Sequence, residues 1–329
     1  MFRCLRYAVG GAAFVAALSV SAVSGAAERW SFYTHQSAPQ FTTSVGARML
    51  ADKITEETEN EVRVRLHLAG TLQISTSDIT SAVAQNVVQM GDDLFFTGNV
   101  PIGALLKLPF LIQTEEEFRK ASEVLQPYVE KAYADRGIVL LAGYAYPMQY
   151  VWARKEIPSI SAISGMRLRV ASPEQGEFVR RFGGSSVSIG ASEVPSALDR
   201  GVVDGILTGS VGAELWQDML THGYLLGLNY NNVYIIANAS AFNRLSPENQ
   251  EKVRAAAQEV AQWNMEKMLN EDREIIEKLD AGRMTITTPS DEELEKAVRR
   301  MKPYWDEWAR SHGEEAVKAL AEVRQAVGR

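Results

Sequence analysis

The sequence is poor in the residues that usually mark disulfide or cofactor chemistry, beginning with cysteine. It has one cysteine in 329 residues, Cys4, so no intramolecular disulfide can form. Glycine-rich phosphate loops are missing as well, because the chain has neither a G-x-G-x-x-G string nor a G-x-x-x-x-G-K-S/T string. We therefore predict no disulfide framework and no cofactor, and a nucleotide-binding role has no support.

Histidine is scarce too. Four histidines occur in separate segments with no H-x-x-x-H spacing, namely His35, His67, His222 and His312. Metal-dependent catalysis consequently has little support, and we predict no metal site. A nucleophile elbow is also missing, because residues 208–212 read T-G-S-V-G and lack its first glycine. We therefore interpret the chain as a binding protein and not as an enzyme.

Positive charge is in the minority. The chain has 34 lysines and arginines against 41 aspartates and glutamates, a formal net charge of −7. An acidic chain without a basic cluster is a poor match for nucleic acid or for an anionic membrane surface. The adjacent acids Asp92 and Asp93 could perform acid–base chemistry, but acids at a strand end are usually solvated, and we favour that interpretation.

The first residues have the three-part pattern of a secretory signal peptide. Arg3 and Arg6 precede an uncharged run over residues 7–27, which ends in small residues. A membrane anchor is the alternative, but the glycine, alanine and serine content of the run favours cleavage near Ala27. We assign residues 1–27 as a signal peptide, which predicts a periplasmic protein and removes the cysteine.

Beyond this leader, strand-like and helix-like segments alternate. Residues 30–35 and 62–68 alternate apolar and polar side chains as half-buried strands do, and residues 138–142 are apolar throughout, as in a strand covered on both faces. Helical spacing separates these segments, and Thr114 stands before three glutamates as an N-cap. The alternation predicts an α/β fold, and a chain of this length usually divides into two lobes.

One helical pattern is unusually long. It begins at Ser246-Pro247, a cap followed by proline at the first helical position, and continues to Ala281. At a rise of 1.5 Å per residue such a helix is roughly 50 Å long, which exceeds the width of one lobe. We predict that it braces both lobes along one side.

Residues 165–205 contain the most informative local pattern. In the string MRLRV, three apolar residues alternate with Arg167 and Arg169, which predicts a half-buried strand with two guanidinium groups on its second face. From this pattern alone, Arg169 is either a surface charge or a planar fork that binds a carboxylate. Both interpretations stay open at this point.

This stretch, G-x-R-L-R-V followed by S-E-V-x-x-A-L-x-x-G-V-V-D-G, resembles the solute-binding (DctP-type) subunit of tripartite ATP-independent periplasmic (TRAP) transporters. Three further strings occur where that family has similar ones, AGTL at Ala69, LPFLI at Leu108 and MKPYWDEWARSHG at Met301. The resemblance spans nearly the whole chain after the leader. It implies an α/β fold of two lobes that close like a Venus flytrap, with a long helix bracing both.

The resemblance also implies a function. A protein of this kind captures a small organic acid and delivers it to the small and large subunits of a membrane permease, which an ion gradient drives without an ATPase. A receptor that reports its ligand to a signalling kinase would show the same sequence features, and a periplasmic enzyme on this scaffold is a further alternative. We expect a monomer.

Pattern and resemblance together suggest the domain boundaries. We predict that lobe I comprises residues 28–146 and 235–274, and that lobe II comprises residues 147–234 and 275–329. The chain would cross between the lobes near residues 144–152 and 234–238. Because the crossings are few, we expect the lobes to close on the ligand by a hinge.

Candidate ligand-binding residues follow from the resemblance, position by position. Arg169 matches the family arginine that binds the ligand carboxylate. Gln149 stands where the family often has a second arginine, and Thr208 belongs to a Leu-Thr pair where the family has an acidic residue and asparagine. His35 stands where some members have a ligand-contacting asparagine.

Aromatic residues complete the predicted site. Tyr146 and Trp152 lie on either side of Gln149 in the sequence, and Phe95 and Trp216 could contribute from other segments. Without a second arginine, a second ligand carboxylate buried there would have no partner. We therefore expect a monocarboxylate, aromatic or a hydroxy or keto acid, in preference to a dicarboxylate or a sialic-acid-like sugar.

Overall fold

The computed structural model describes residues 27–282 and 284–329. The predicted signal peptide, residues 1–27, lies outside the described residues except for its last position. Within the described residues, no helix is both long enough and apolar enough to cross a membrane.

Two sheets and the helices around them make up the fold. The strands, numbered along the chain, are β1 (Glu28–Thr34), β2 (Val62–His67), β3 (Met90–Asp93), β4 (Ile138–Tyr146), β5 (Tyr150–Ala153), β6 (Arg167–Val170), β7 (Ser185–Ser188), β8 (Gly205–Thr208), β9 (His222–Tyr224), β10 (Asn231–Asn238) and β11 (Thr285–Thr287). The α-helices are α1 (Thr42–Glu57), α2 (Ile79–Ala84), α3 (Glu115–Ala134), α4 (Pro173–Arg181), α5 (Val194–Asp199), α6 (Ser210–Leu215), α7 (Ala239–Asn243), α8 (Pro247–Gly282), α9 (Asp291–Ser311) and α10 (Glu314–Ala326).

The first sheet has the strand order β2-β1-β3-β10-β4. Strand β1 is parallel to β2 and β3, whereas β10 is antiparallel to β3 and β4. One face buries Trp30 and Phe32 against α1 and α8, and the other face buries Tyr33 against α2. Residues 138–142 belong to β4, which is an edge strand of this sheet and not an inner one as the apolar run suggested. Both α3 and α8 pack on β4, so its apolar residues are covered although the strand lies at the edge.

The second sheet has the order β11-β9-β5-β8-β6-β7. Strand β6, the MRLRV string, is parallel to β7 and β8, while β5 is antiparallel to β8 and β9. Leu168 and Val170 are buried in the same core as α4, as the alternation predicted. The two arginines of β6 differ from each other, since Arg167 is exposed and Arg169 is buried.

The chain crosses between the sheets twice before α8. The first crossing, residues 147–149, falls where the sequence predicted it. The second differs from the prediction, because β10 pairs with β4 from Asn231 to Asn238 and the crossing is therefore residues 225–230. The apolar run inside β10 fits either sheet, and only pairing with β3 and β4 assigns it to the first. The crossings are bonded to each other, with Gln149 N donating to Asn229 O at 3.0 Å.

Helix α8 extends over 36 residues and confirms the predicted long brace. Its start is capped as expected, with Ser246 Oγ accepting from Asn249 N at 3.2 Å. Two adjacent residues of this helix, Glu271 and Asp272, accept hydrogen bonds from α1 and α6, respectively. Glu271 Oε2 accepts from Thr42 Oγ1 of α1 at 2.6 Å, and Asp272 Oδ1 accepts from Ser210 Oγ of α6 at 2.5 Å.

The C-terminal helices α9 and α10 pack against helices of both parts of the fold. Trp305 and Trp308 are buried, as predicted, and Trp305 Nε1 donates to Pro109 O of the LPFLI string at 2.9 Å. Helix α9 packs on α4, whereas α10 packs on α3. The C-terminal segment therefore contacts elements associated with both sheets.

Candidate ligand-binding site

Most of the predicted ligand residues lie at two sheet edges that the crossings connect. His35, Phe95 and Tyr146 follow or end strands β1, β3 and β4, whose carboxyl ends share one edge of the first sheet. Arg169 and Thr208 lie near the carboxyl ends of β6 and β8 in the second sheet. Open α/β sheets bind ligands outside the carboxyl ends of their strands, so this placement fits a binding site.

Arg169 is the least satisfied charged group at these edges. Its side chain is only 9% exposed, and Nε donates to Ile189 O at 3.0 Å. Burial lowers the pKa of its guanidinium, and no carboxylate of the described residues pairs with it. Since buried charges are normally paired, the two Nη groups are available for an anion.

Arg167, two residues earlier on the same strand, shows the opposite arrangement. Its Nη2 donates to Asp204 Oδ1 at 2.9 Å and its Nε donates to Asp204 Oδ2 at 3.2 Å. Asp204 belongs to the turn before β8, so this pair ties two segments of the second sheet together on its exposed side. The surface-charge interpretation therefore fits Arg167. It does not fit Arg169, whose side chain is buried.

Gln149 and Thr208 lie close together beside the first crossing. Gln149 is 6% exposed, and its Nε2 donates to Pro147 O at 3.0 Å. A side chain at Gly209 would begin 3.5 Å from Gln149 Nε2, so the amide lies against the end of β8. Thr208 is half-buried and stands opposite Tyr150 in the sheet. These residues offer neutral hydrogen-bonding groups and no charge.

The edge of the first sheet carries a buried polar network centred on Asp92. Asp92 Oδ1 accepts from the Tyr144 hydroxyl at 2.8 Å, and Oδ2 accepts from Thr34 Oγ1 at 2.8 Å. His35 Nδ1 lies 3.3 Å from the same Oδ2, while His35 Nε2 lies 2.9 Å from the Tyr146 hydroxyl. Two predicted site residues, His35 and Tyr146, are therefore in direct contact.

His35 is held as a cation by this network. Burial by itself lowers the pKa of His35, but the oxygens of Tyr146 and Asp92 outweigh burial and raise the pKa to about 10. The first sheet thus presents a buried ion pair, and Asp92 is a member that sequence reasoning missed as a site residue.

The acids at the end of β3 correct the prediction of a solvated pair. Asp92 and Asp93 are only 2% and 0% exposed. They point to opposite sides of the strand, and Asp93 accepts a hydrogen bond from Thr80 Oγ1 while its Oδ1 has no partner. Burial raises the pKa of Asp93 to about 6. The expectation was wrong because β10 pairs with this strand end and α2 packs on it, which the local sequence cannot show.

The predicted aromatic residues separate into three environments. Trp152 is fully buried in the core of the second sheet, and its Nε1 donates to Thr208 O at 3.0 Å. Trp152 is therefore a core residue that supports the end of β8. Phe95 is 44% exposed, and Trp216 is half-buried at the end of α6. Tyr146 alone among the four is bonded into the polar network.

Lys107 is a further buried cation that the sequence analysis overlooked. It is 4% exposed, its Nζ donates to Leu94 O at 3.2 Å and it lies 4.4 Å from the centre of the Phe96 ring. Burial lowers its pKa to about 8, against the attraction of Glu174 and Asp93. The sequence pattern that indicates a buried lysine is its place between apolar residues, L-L-K-L-P-F.

Two concave regions lie outside the predicted site. A groove of about 1070 Å³ follows the edge strand β4 between α3 and α8, and none of its lining residues is a predicted ligand residue. A smaller groove, of about 550 Å³, lies between the start of α4 and the end of α9. No group of three metal-ligating side chains occurs in the residues that the structure describes.

Fold and site together define a class of protein. Two α/β sheets, joined by two crossings and braced by one long helix, form the fold of a two-lobed solute-binding protein. The chain matches the DctP family, the bacterial extracellular solute-binding proteins of family 7, over residues 33–311. It belongs to that family, which is made of solute-binding receptors.

Relatives cover most of the chain at low identity. The ectoine-binding periplasmic protein of Halomonas elongata is 23% identical and aligns with 89% of this chain and 88% of its own length. The monocarboxylate 2-oxoacid-binding periplasmic protein of a Nostoc species is 24% identical, over 79% of this chain and 73% of its own length. A Bordetella pertussis extracytoplasmic receptor that binds pyroglutamic acid has a TM-score of 0.82 at 22% identity, covering 91% of this chain and 100% of its own.

Proposed function

We propose that this protein is a periplasmic receptor that binds a small organic acid between its lobes and hands it to a TRAP-type membrane permease. The observation that carries the proposal is Arg169, a buried guanidinium near the carboxyl end of β6 with a single hydrogen bond and no carboxylate partner among the described residues. A carboxylate that enters between the lobes supplies the missing counter-ion and can accept two parallel hydrogen bonds.

The ligand carries one carboxylate. The residues near the first crossing, Gln149 and Thr208, are neutral, so a second carboxylate at that point would be desolvated without a partner, which costs energy of kcal/mol order. His35 is a cation but already has Asp92 as its counter-ion. The 2-oxoacid-binding and pyroglutamate-binding relatives support this choice, because both ligands have a single carboxylate.

A thermal-shift screen of small organic acids tests the proposal. A ligand at 100 times its Kd should stabilise the fold by roughly 2.7 kcal/mol, which is readily seen as a raised melting temperature. We expect the largest shifts from monocarboxylates, and none of these shifts in the Arg169→Ala variant. Larger shifts from C4-dicarboxylates would contradict the neutral character that we assign to Gln149 and Thr208, and larger shifts from sugar acids would contradict the expected ligand with a less polar body.

Catalysis, location and partners need separate tests. We propose that ligands leave unaltered, so mass spectrometry after incubation should recover the acid unchanged. Secretion followed by cleavage near Ala27 should appear as a shortened N-terminus in the periplasmic fraction, and the mature protein should sediment as a monomer. Neighbouring genes for a small and a large membrane subunit would support transport, and their absence would favour a receptor that feeds a signalling kinase.

A further inference from the structure

We infer that the protein has a second binding site, for a small organic ammonium ion, in the smaller groove between the start of α4 and the end of α9. Glu174 supplies the carboxylate that pairs with the cation. The site is separate from the acid-binding site of the proposed function, because neither Arg169 nor any other predicted ligand residue lines this groove.

The first observation is a buried carboxylate without a hydrogen bond. Glu174 belongs to the first turn of α4, lines the groove and is only 5% exposed. Its Oε2 is buried with no hydrogen-bond partner, and none of the ion pairs among the described residues includes it. Buried carboxylates normally accept hydrogen bonds or pair with a cation. Glu174 therefore has accepting capacity that the described protein groups do not use.

The buried cation Lys107 does not complete this carboxylate. The charge of Glu174 attracts the Lys107 ammonium group. The ammonium is nevertheless held elsewhere, since its Nζ donates to Leu94 O at 3.2 Å and lies 4.4 Å from the centre of the Phe96 ring. A hydrogen bond requires contact between donor and acceptor, and attraction over a longer distance supplies no hydrogen. The oxygens of Glu174 are thus left for another donor.

The charge of the groove favours a cation. Its lining residues include two glutamates, Glu174 and Glu307, and no lysine or arginine. Glu307 is already paired with Arg181, and His312 Nδ1 lies 2.7 Å from Trp308 O of its own helix. Glu174 is consequently the lining carboxylate that an incoming cation can pair with, and no lysine or arginine of the groove competes for it.

The size and surface of the groove favour an organic cation over a metal ion. The groove has a volume of about 550 Å³, and two aromatic residues, Tyr304 and Trp308, contribute to its lining. Aromatic side chains offer flat apolar surface for the carbon part of a ligand. A metal ion needs several protein ligands, and the described residues hold no group of three metal-ligating side chains. An alkylammonium ion needs one carboxylate and an apolar wall.

The groove also connects segments of both sheets. Thr97 and Gly98 follow strand β3 of the first sheet, whereas Glu174 follows strand β6 of the second. A cation bound in the groove contacts both segments. The inference therefore adds a second, cationic ligand to the receptor, and it does not depend on which acid the receptor carries.

Charged and neutral molecules of one skeleton test the site on the full mature chain. Propylammonium, cyclohexylammonium and benzylammonium chlorides are each compared with the corresponding alcohol at pH 7.5 and constant ionic strength. The indole N–H signal of Trp308 in nitrogen-15 spectra reports binding in the groove. At least one ammonium ion should shift this signal saturably, and its alcohol should bind at least roughly tenfold more weakly, because only the ammonium pairs with a carboxylate. Equal binding of the alcohol, or no saturable shift with any of the three ions, would overturn the inference.

A variant pair assigns the effect to the buried carboxylate. Glu174→Gln keeps the shape of the side chain and removes its charge, so it should weaken binding of the ammonium ion at least roughly tenfold. Glu116→Gln is the matched control, because Glu116 is also a first-turn acid of a helix, α3, but is paired with Lys120 at the surface. Binding by Glu174→Gln within a factor of two of wild type would refute the assignment. If this variant does not fold, the comparison of ammonium ion and alcohol in the wild-type protein decides.

Crossed measurements separate this site from the acid-binding site. Arg169→Ala should keep its affinity for the ammonium ion, and Glu174→Gln should keep its affinity for the acid. Loss of ammonium binding in Arg169→Ala would show that the amine enters the acid-binding site, which would overturn this inference and leave the proposed function intact. Failure of every acid in the thermal-shift screen, with ammonium binding retained, would overturn the proposed function alone.

Discussion

The carboxyl-end edges of the two sheets differ in how their buried cations, His35 and Arg169, are paired. At the edge of the first sheet, the His35 cation has its counter-ion, Asp92, within the protein. At the edge of the second sheet, Arg169 donates to one backbone oxygen and has no counter-ion in the part of the chain that the structure describes. A buried cation that lacks a partner is stabilised by an incoming anion, whereas a completed pair gains nothing from one. From this difference we expect Arg169, in the second sheet, to supply affinity for the ligand carboxylate.

The largest expected effect comes from removing the fork at the second edge. Arg169→Lys should weaken ligand binding nearly as much as Arg169→Ala, at least roughly 100-fold, because two charge-assisted hydrogen bonds of about 1.5–3 kcal/mol each depend on the planar group. Calorimetry with the acid that gives the largest thermal shift measures the loss. Arg167→Lys is the control, since that residue pairs with Asp204 on the exposed side.

Two results would contradict this division. Binding by Arg169→Lys within a factor of two of wild type would show that the fork is not used. A fall in the melting temperature of Arg169→Ala without ligand would show that Arg169 holds the lobe together instead.

The next effect tests the completed pair at the first edge. Asp92→Asn should lower the free energy of unfolding by roughly 3–5 kcal/mol at pH 7, because it leaves His35 buried without its counter-ion. The pKa of His35 is raised from 6.5 to about 10, so the stability from pairing is fully present below pH 6.5 and is lost as the pH rises through 10. Urea unfolding between pH 6 and 10 should therefore show the difference from wild type shrinking.

Asp135→Asn serves as the control for this experiment. Asp135 is an exposed acid that pairs with Lys131 at the surface, so its loss should change stability by no more than about 1 kcal/mol at any pH. A loss in Asp92→Asn as small as that of the control would mean that His35 is not held as a cation.

A smaller effect of opposite sign is expected at the neighbouring acid. Burial raises the pKa of Asp93 from 3.8 to about 6, so its ionisation costs stability that is absent below pH 3.8 and complete above pH 6. Asp93→Asn should therefore stabilise the protein by about 1–3 kcal/mol at pH 7.5 and by nothing below pH 4. Thermal unfolding at the two pH values measures this, and destabilisation at pH 7.5 would refute the assignment.

The smallest expected signal is the movement that brings the two edges together. A ligand bound between the lobes favours the closed state through its contacts with both, so the radius of gyration should fall on binding. Small-angle scattering at saturating ligand checks this, with Arg169→Ala as the unresponsive control. An unchanged radius would show that the lobes do not close.

Much of the architecture was readable from local patterns. The alternation in MRLRV, the threonine cap before three glutamates and the Ser-Pro start of the long helix each depend on residues close in sequence, and the structure confirms all three. The second crossing was misplaced because the apolar residues of β10 are compatible with either sheet. Their partner is set by hydrogen bonds to β3 and β4, more than 80 residues away in the chain.

For the candidate site, the sequence identified individual residues, and the structure showed which of them contact each other. Arg169 was singled out by a family match, yet the pattern could not distinguish it from Arg167. The turn before β8 brings Asp204 beside Arg167, whereas no described carboxylate pairs with Arg169. His35 and Tyr146 were named separately, and Trp152 was named as a ligand residue although it lies in the core.

The sequence by itself determined the class of fold, the long brace and the residue types available at the lobe junction, because periodicity, caps and leader composition are local properties. Tertiary structure alone decided which of those residues are buried and which groups they contact. Asp92 came into contact with His35, and burial raised the pKa of Asp93, through segments distant in sequence. The pKa of a group and the use of its hydrogens depend on everything within a few ångströms, and that neighbourhood exists only once the chain has folded.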